Sequence, residues 1–213
     1  MADQSSSHAG NPNNRLTRRQ ILGSAATATT ATLIPLTSCT TPVSAPAGQA
    51  LPREAWLVLE AFVERLIPAD ANGPGAMAAG VPYYIDNTLR QWNSAELEFL
   101  SLGLLELTRA ARRRYDRDFQ LLSHTNQDAL LEAMEKGEID GFENAQAVFN
   151  RLHRLTLEGM FSDPYYGGNQ NYIGWDLIGY PGAVMASTPD MQRMGGRLPP
   201  LHTSAYGSDY DGD

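Results

Sequence analysis

The 213-residue chain has one cysteine, Cys39, and only four histidines. A single cysteine excludes an internal disulfide, an iron–sulfur cluster and a Cys-x-x-Cys-His haem attachment. His8, His124, His153 and His202 stand far apart, without the paired spacing that a zinc site needs. Glycine is plentiful but never set to cradle phosphate, since neither a Gly-x-Gly-x-x-Gly after a strand nor a Gly-x-x-x-x-Gly-Lys occurs. No Gly-x-Ser-x-Gly elbow offers a serine nucleophile. Positive charge is scarce as well. Residues 1–38 contain Arg15, Arg18, Arg19 and Asp3, so 13 basic and 23 acidic residues remain beyond them, a net charge of about −10. Such a balance excludes a nucleic-acid-binding face. The one basic cluster, Arg109 to Arg117, falls at the end of an expected helix, where it complements the negative helix terminus. On this reading the chain has no cofactor or metal of its own and no means of redox or hydrolytic chemistry alone.

Long apolar runs are missing too. The stretch Ile21 to Leu36 has no charge but is diluted by Ala, Thr, Gly and Ser, and falls short of the roughly 20 apolar residues of a membrane span. What precedes it gives it meaning. Arg18-Arg19 within Thr17-Arg18-Arg19-Gln20-Ile21-Leu22-Gly23 reads as a twin-arginine export signal, a route that carries folded proteins and favours weakly apolar signals. Leu36-Thr37-Ser38-Cys39 closes the run in the manner of a lipobox, so that Cys39 becomes the lipidated first residue. Two or more acyl chains there suffice for stable anchoring. Cleavage near Ala45 or Ala47 is the alternative. Either way the expected location is the periplasm, with a membrane attachment through the lipid or through a complex.

Residues 1–39 are thus assigned to signal and lipobox, and 40–52, rich in Pro, Ala, Thr and Ser, to a flexible linker. Residues 53–161 read as an all-α domain of about five helices. The first runs from Arg53 to Ile67, with Trp56, Leu59, Phe62, Val63 and Leu66 on one face and Pro68 as its stop. The second, Ala76 to Trp92, becomes regular near Val81 because Pro82 is tolerated only in a first turn. Asn93 or Ser94 then opens a long third helix to Phe119. Its stripe of Leu97, Leu100, Leu104, Leu107 and Ala111 is widened by Phe99, Leu102 and Leu105, a face broad enough to pack on two sides. Thr125-Asn126-Gln127-Asp128 resembles a capping box for the fourth helix, which ends at Lys136-Gly137. The fifth spans Gly141 to Met160. Acidic pairs such as Glu96 with Glu98 and Glu132 with Glu135 sit on these helices as solvated charge rather than as acid–base machinery.

From residue 162 the composition changes to Gly, Pro, Tyr, Asp and Asn, without helical periodicity. Fifty such residues are too many for an internal loop. Residues 162–213 read as an extended arm that binds a partner, with Tyr165, Tyr166, Tyr172, Trp175 and Tyr180 as its interface anchors. The alternative is that these rings fold back as a satellite core over their own helices. Asp163, Asn169 and Asp176 match no calcium-loop spacing and read as turn formers, and Asp70 and Asp86 as caps and loop ties.

Two blocks carry a family likeness. One comprises Ile67-Pro68-Ala69-Asp70, Pro74-Gly75-Ala76, Ala79-Gly80-Val81 and Ile85-Asp86. The other runs Phe161-Ser162-Asp163-Pro164-Tyr165-Tyr166-Gly167-Gly168-Asn169 and resumes at Gly174-Trp175-Asp176-Leu177-Ile178-Gly179-Tyr180-Pro181-Gly182. Over about residues 50–185 the chain resembles the small subunit, subunit 3 or gamma, of membrane-associated gluconate 2-dehydrogenases. The resemblance implies a non-catalytic accessory subunit of an oxidoreductase complex acting on CH–OH groups with a non-NAD acceptor. It implies a large GMC-type flavoprotein partner holding FAD, and a cytochrome subunit holding haem c in some complexes. It also implies that the signal of the small subunit exports the large one, and that the small subunit stabilises it. A stand-alone periplasmic enzyme built on residues 163–180 and a lipid-anchored scaffold or binding lipoprotein are the competing readings.

Overall fold

The computed structural model describes residues 48–91, 93–189, 191–192 and 198–207. Arg18, Arg19, Cys39 and Trp92 lie outside the described residues, and with them the signal and the lipobox. Among the described residues there are six α-helices and no β-strand. None of these helices is long and apolar enough to cross a membrane.

Helix α1, Arg53–Leu66, buries Trp56, Leu59, Phe62 and Val63 on the face read from their spacing. It ends where Pro68 can supply no N–H. The following loop is shaped by Asp70, whose carboxylate accepts from the Asn72 N–H at 2.7 Å and its side-chain amide at 3.0 Å. Those bonds hold the Asp70 carboxyl below its ordinary range. The Ala76 N–H then donates to Ile67 O, and a Cβ on Gly75 would sit 2.4 Å from that same oxygen. Helix α2, Val81–Gln91, starts with Pro82 in its first turn. Its Asp86, only 3 % exposed, accepts from the N–H groups of Gln49, Ala50 and Leu51 at 2.8–3.1 Å. The approach to α1 is thereby tied to α2.

Helix α3, Ser94–Tyr115, buries Leu100, Leu104, Leu107 and Ala111, whereas Phe99 and Leu102 stay exposed. It is four residues shorter than the apolar pattern suggests. Asp116 takes a left-handed conformation at φ 54°, one of the few residue types that tolerate it, and the chain turns. Phe119, read as the end of this helix, is instead the buried start of a short 3-10 turn, Phe119–Leu121.

Helix α4, His124–Lys136, is capped by Ser123 rather than by the Thr125 box, with the Ser123 hydroxyl accepting from the Asn126 N–H. Gln127 and Asp128 are drawn into tertiary bonds. Gln127 donates to Phe119 O at 3.0 Å, and Asp128 receives the Arg65 guanidinium through two bonds of 2.7 and 2.9 Å. Gly137 closes α4 in the left-handed region, as expected. Helix α5, Ala145–Phe161, starts four residues later than its apolar pattern, because Phe142 is buried from within a turn. A sixth helix, α6, Ile173–Ile178, lies in the stretch read as an extended arm.

The core unites α1, α2, α3, α4 and α5 around Phe62, Ile85, Leu89, Leu104 and Leu152. Phe62 meets Phe149 edge-on at 5.8 Å. Gly159 lets the Tyr84 ring lie against α5, since a Cβ there would come within 2.9 Å of it.

Candidate partner interface

The segment after α5 is held to its own helix end by backbone contacts that admit no side chain. A Cβ on Gly168 would lie 2.2 Å from Gly159 O, and one on Gly174 would lie 1.7 Å from Met160 O. Asn169 pins the two approaches together. Fully buried, its amide donates to Ser162 O and its carbonyl accepts from the Gly174 N–H, both at 2.8 Å. Asn169 holds φ 46°, and Asn171 and Tyr172 are also left-handed at 54° and 60°. Three such non-glycine residues within four positions are backbone strain that the surrounding contacts enforce. Gln170 is anchored too, its N–H donating to Ala79 O in the first family block.

The rings fall into two groups. Trp175 is 4 % exposed, donates its indole N–H to Phe161 O at 3.0 Å, and packs against Tyr172 and edge-on against Tyr180. It belongs to the satellite core, turned toward its own chain. Tyr172 stacks on the His202 ring at 4.7 Å, and His202 Nε2 meets Asp176 Oδ1 at 2.7 Å. The second group faces outward. Tyr165, 48 % exposed, stacks on Tyr206 at 4.3 Å, and the hydroxyls of Tyr166 and Tyr206 lie 2.6 Å apart. That bond pushes the Tyr166 hydroxyl above its ordinary range. Ile178 and Tyr180 are exposed around a hollow shared with Asp163 and Ala205, and Leu177 and Val184 are exposed as well. The result is an aromatic and aliphatic surface on a stiff base.

The base is stiff because the polar residues are spent on it. Asp163 accepts from the Tyr165 N–H, the Ser204 hydroxyl and the Ala205 N–H at 2.7–3.0 Å. Ala183 donates to Thr203 O, and Leu201 to Pro181 O, so residues 181–183 and 201–203 run side by side. Asp163 holds its own turn and also residues 204–205, whereas Asp176 meets His202 rather than serving a turn; no three metal-ligating side chains converge among the described residues. Sequence reasoning missed Asn169 as the central tie, and missed His202 and Ser204, which lie 26 and 41 residues from Asp176 and Asp163. Only Asn169, directly after Gly167-Gly168, gave a local hint.

The family model for gluconate 2-dehydrogenase subunit 3 matches residues 53–182, from the start of α1 through Gly182. The chain belongs to that family. No curated protein and no solved structure matches it. Subunit 3 is an accessory component of a dehydrogenase complex with a larger subunit, and the match takes in the strained, aromatic segment as well as the five-helix core.

Proposed function

We propose that this chain is the non-catalytic small subunit of a membrane-associated, FAD-dependent sugar, sugar-acid or polyol dehydrogenase. It escorts the large flavoprotein across the membrane and stabilises it afterwards. Arg18 and Arg19 supply the twin-arginine address for both chains, and Cys39 the lipid that keeps the complex at the periplasmic face. FAD resides in the large GMC-type subunit, and haem c, where present, in a cytochrome subunit.

The observation that carries this reading is the exposed surface of Tyr165, Tyr206, Ile178 and Tyr180 on a tightly packed base. Rigid aromatics make good anchors because little side-chain freedom is lost when they bind. The polar residues nearby are consumed by hydrogen bonds within the chain, which favours a docking role over a catalytic one.

Expression of the flavoprotein with and without this chain tests the proposal. Flavin-bearing, dye-reducing activity should reach the periplasm only when the chain is present, and an Arg18→Lys, Arg19→Lys double variant should hold it in the cytoplasm. Equal export of the flavoprotein without the chain would refute the escort role.

A further inference from the structure

The hollow beside Ile178 and Tyr180 forms where the end of α5, helix α6 and residues 181–183 and 204–205 meet, and it measures about 330 Å³. Phe161, Trp175, Ile178 and Tyr180 give it apolar and aromatic walls. Ala183 and Ala205 complete the lining with side chains no larger than a methyl group. The Trp175 wall is held in place, by its indole bond to Phe161 O and by Tyr180 packed edge-on at 4.9 Å. Gly182, at φ 99°, carries the chain over the same indole, which a Cβ there would meet at 3.4 Å. The walls come from separate pieces of chain, so the hollow is a product of the fold and not a gap within one loop.

Polar groups around it are already engaged. The N–H groups of Tyr180 and Ala183 donate to Trp175 O and Thr203 O, both at 2.8 Å. Asp163 is the one charged residue in the lining among the described residues. Its carboxylate accepts from the Ser204 hydroxyl at 2.7 Å, the Ala205 N–H at 2.9 Å and the Tyr165 N–H at 3.0 Å. Those bonds fill most of the roughly four acceptor positions that a carboxylate offers. Ser204 is only 3 % exposed, which holds that donor in place. Two of the three donors come from residues 204–205, beyond the 53–182 span of the family match. By folding back, that stretch satisfies Asp163 and leaves a hollow whose free surface is mainly hydrocarbon and ring.

We infer that this hollow is a socket for one uncharged, apolar side chain, aliphatic or aromatic, of the large dehydrogenase subunit. The inference rests on the proposed role of the tyrosine face as the docking surface for that subunit, because Ile178 and Tyr180 belong to both. A charged occupant would give up its hydration to meet a carboxylate that already has its donors. An apolar one loses only water, and anchors of that kind in preformed pockets dominate protein interfaces. At this size the socket admits a side chain and not an element of secondary structure.

The test uses the full chain co-expressed with the flavoprotein. Ala183→Leu and Ala205→Leu each fill the socket while keeping the backbone bonds of those residues. Each should weaken association at least tenfold, equally at low and high salt, with the melting temperature of the isolated chain within about 2 °C of wild type. A photo-crosslinking amino acid at Ile178, on the rim, should capture the flavoprotein at an apolar residue, and one at Leu121, an exposed leucine on the turn before α4, should capture it weakly. Undiminished association in both leucine variants, or capture at Ile178 of a lysine, arginine, aspartate or glutamate, overturns the socket and leaves the escort role standing. So does self-association of the isolated chain, or its binding to phosphatidylethanolamine–phosphatidylglycerol vesicles, that the leucine variants abolish, since the occupant is then a second copy or a lipid. Failure of the two wild-type chains to co-purify at all overturns both.

Discussion

Asn169 replaces regular structure at the point where the helical domain meets its C-terminal segment. Its amide satisfies one backbone carbonyl and one backbone N–H that would otherwise be buried unpaired. Asn169→Ala removes both bonds and leaves a non-glycine residue at φ 46°. It should destabilise the chain by about 3 kcal/mol in urea denaturation. Glu96 gives a residue-scale test with a pH signature. Partial burial pushes its carboxyl up, but the hydrogen bonds from Arg151 and Asn93 outweigh this and hold it below its ordinary value. A depressed folded value means that the stabilisation is present above the unfolded carboxylate range and is lost as pH falls through the folded value. Glu96→Gln should cost up to about 1 kcal/mol at neutral pH, a small amount because both partners are partly solvated. Melting curves of variant and wild type should converge at acid pH, and a constant gap would show that the ion pair is not the cause.

At the scale of elements, the helices were legible wherever their apolar stripe was long. The α1 face of Trp56, Leu59, Phe62 and Val63 and the α3 stripe of Leu100, Leu104 and Leu107 are buried as their spacing requires. The boundaries were harder, for identifiable reasons. Asp116 stops α3 through a left-handed turn although Phe119 continues the apolar pattern, and Phe142 is buried without being helical. Helix α6 was invisible because six residues are too few to show a period, and its place is fixed by Gly174 and Trp175 against α5. The second side of α3 is open, with Phe99 and Leu102 exposed. Trp175→Ala should cost about 3–5 kcal/mol, measured by denaturant unfolding, because it empties the joint between α5 and α6. A loss under 1 kcal/mol would mean that this segment does not pack on the helical core.

At the scale of the molecule, two kinds of aromatic are mixed in one short stretch, and sequence could not separate them. Trp175 and Tyr172 are turned toward their own chain, while Tyr165 and Tyr180 face outward. Which ring goes where depends on Phe161 O and on His202, contacts that no local pattern reveals. The distinction also determines how the interface should be tested. Deleting residues 162–213 would remove the buried Trp175 and Asn169 together with the exposed rings, and so would confound folding with binding.

The decisive measurement is therefore co-purification of the flavoprotein with a chain altered only at exposed positions, Tyr165→Glu, Ile178→Glu and Tyr180→Glu together. The account predicts that the isolated variant still unfolds cooperatively, at a melting temperature lowered only by the lost ring contacts of Tyr165 and Tyr180, and that at least nine-tenths of the bound flavin is lost, a drop of about 1.4 kcal/mol or more in association. Full recovery of the flavoprotein with the triple variant would contradict it.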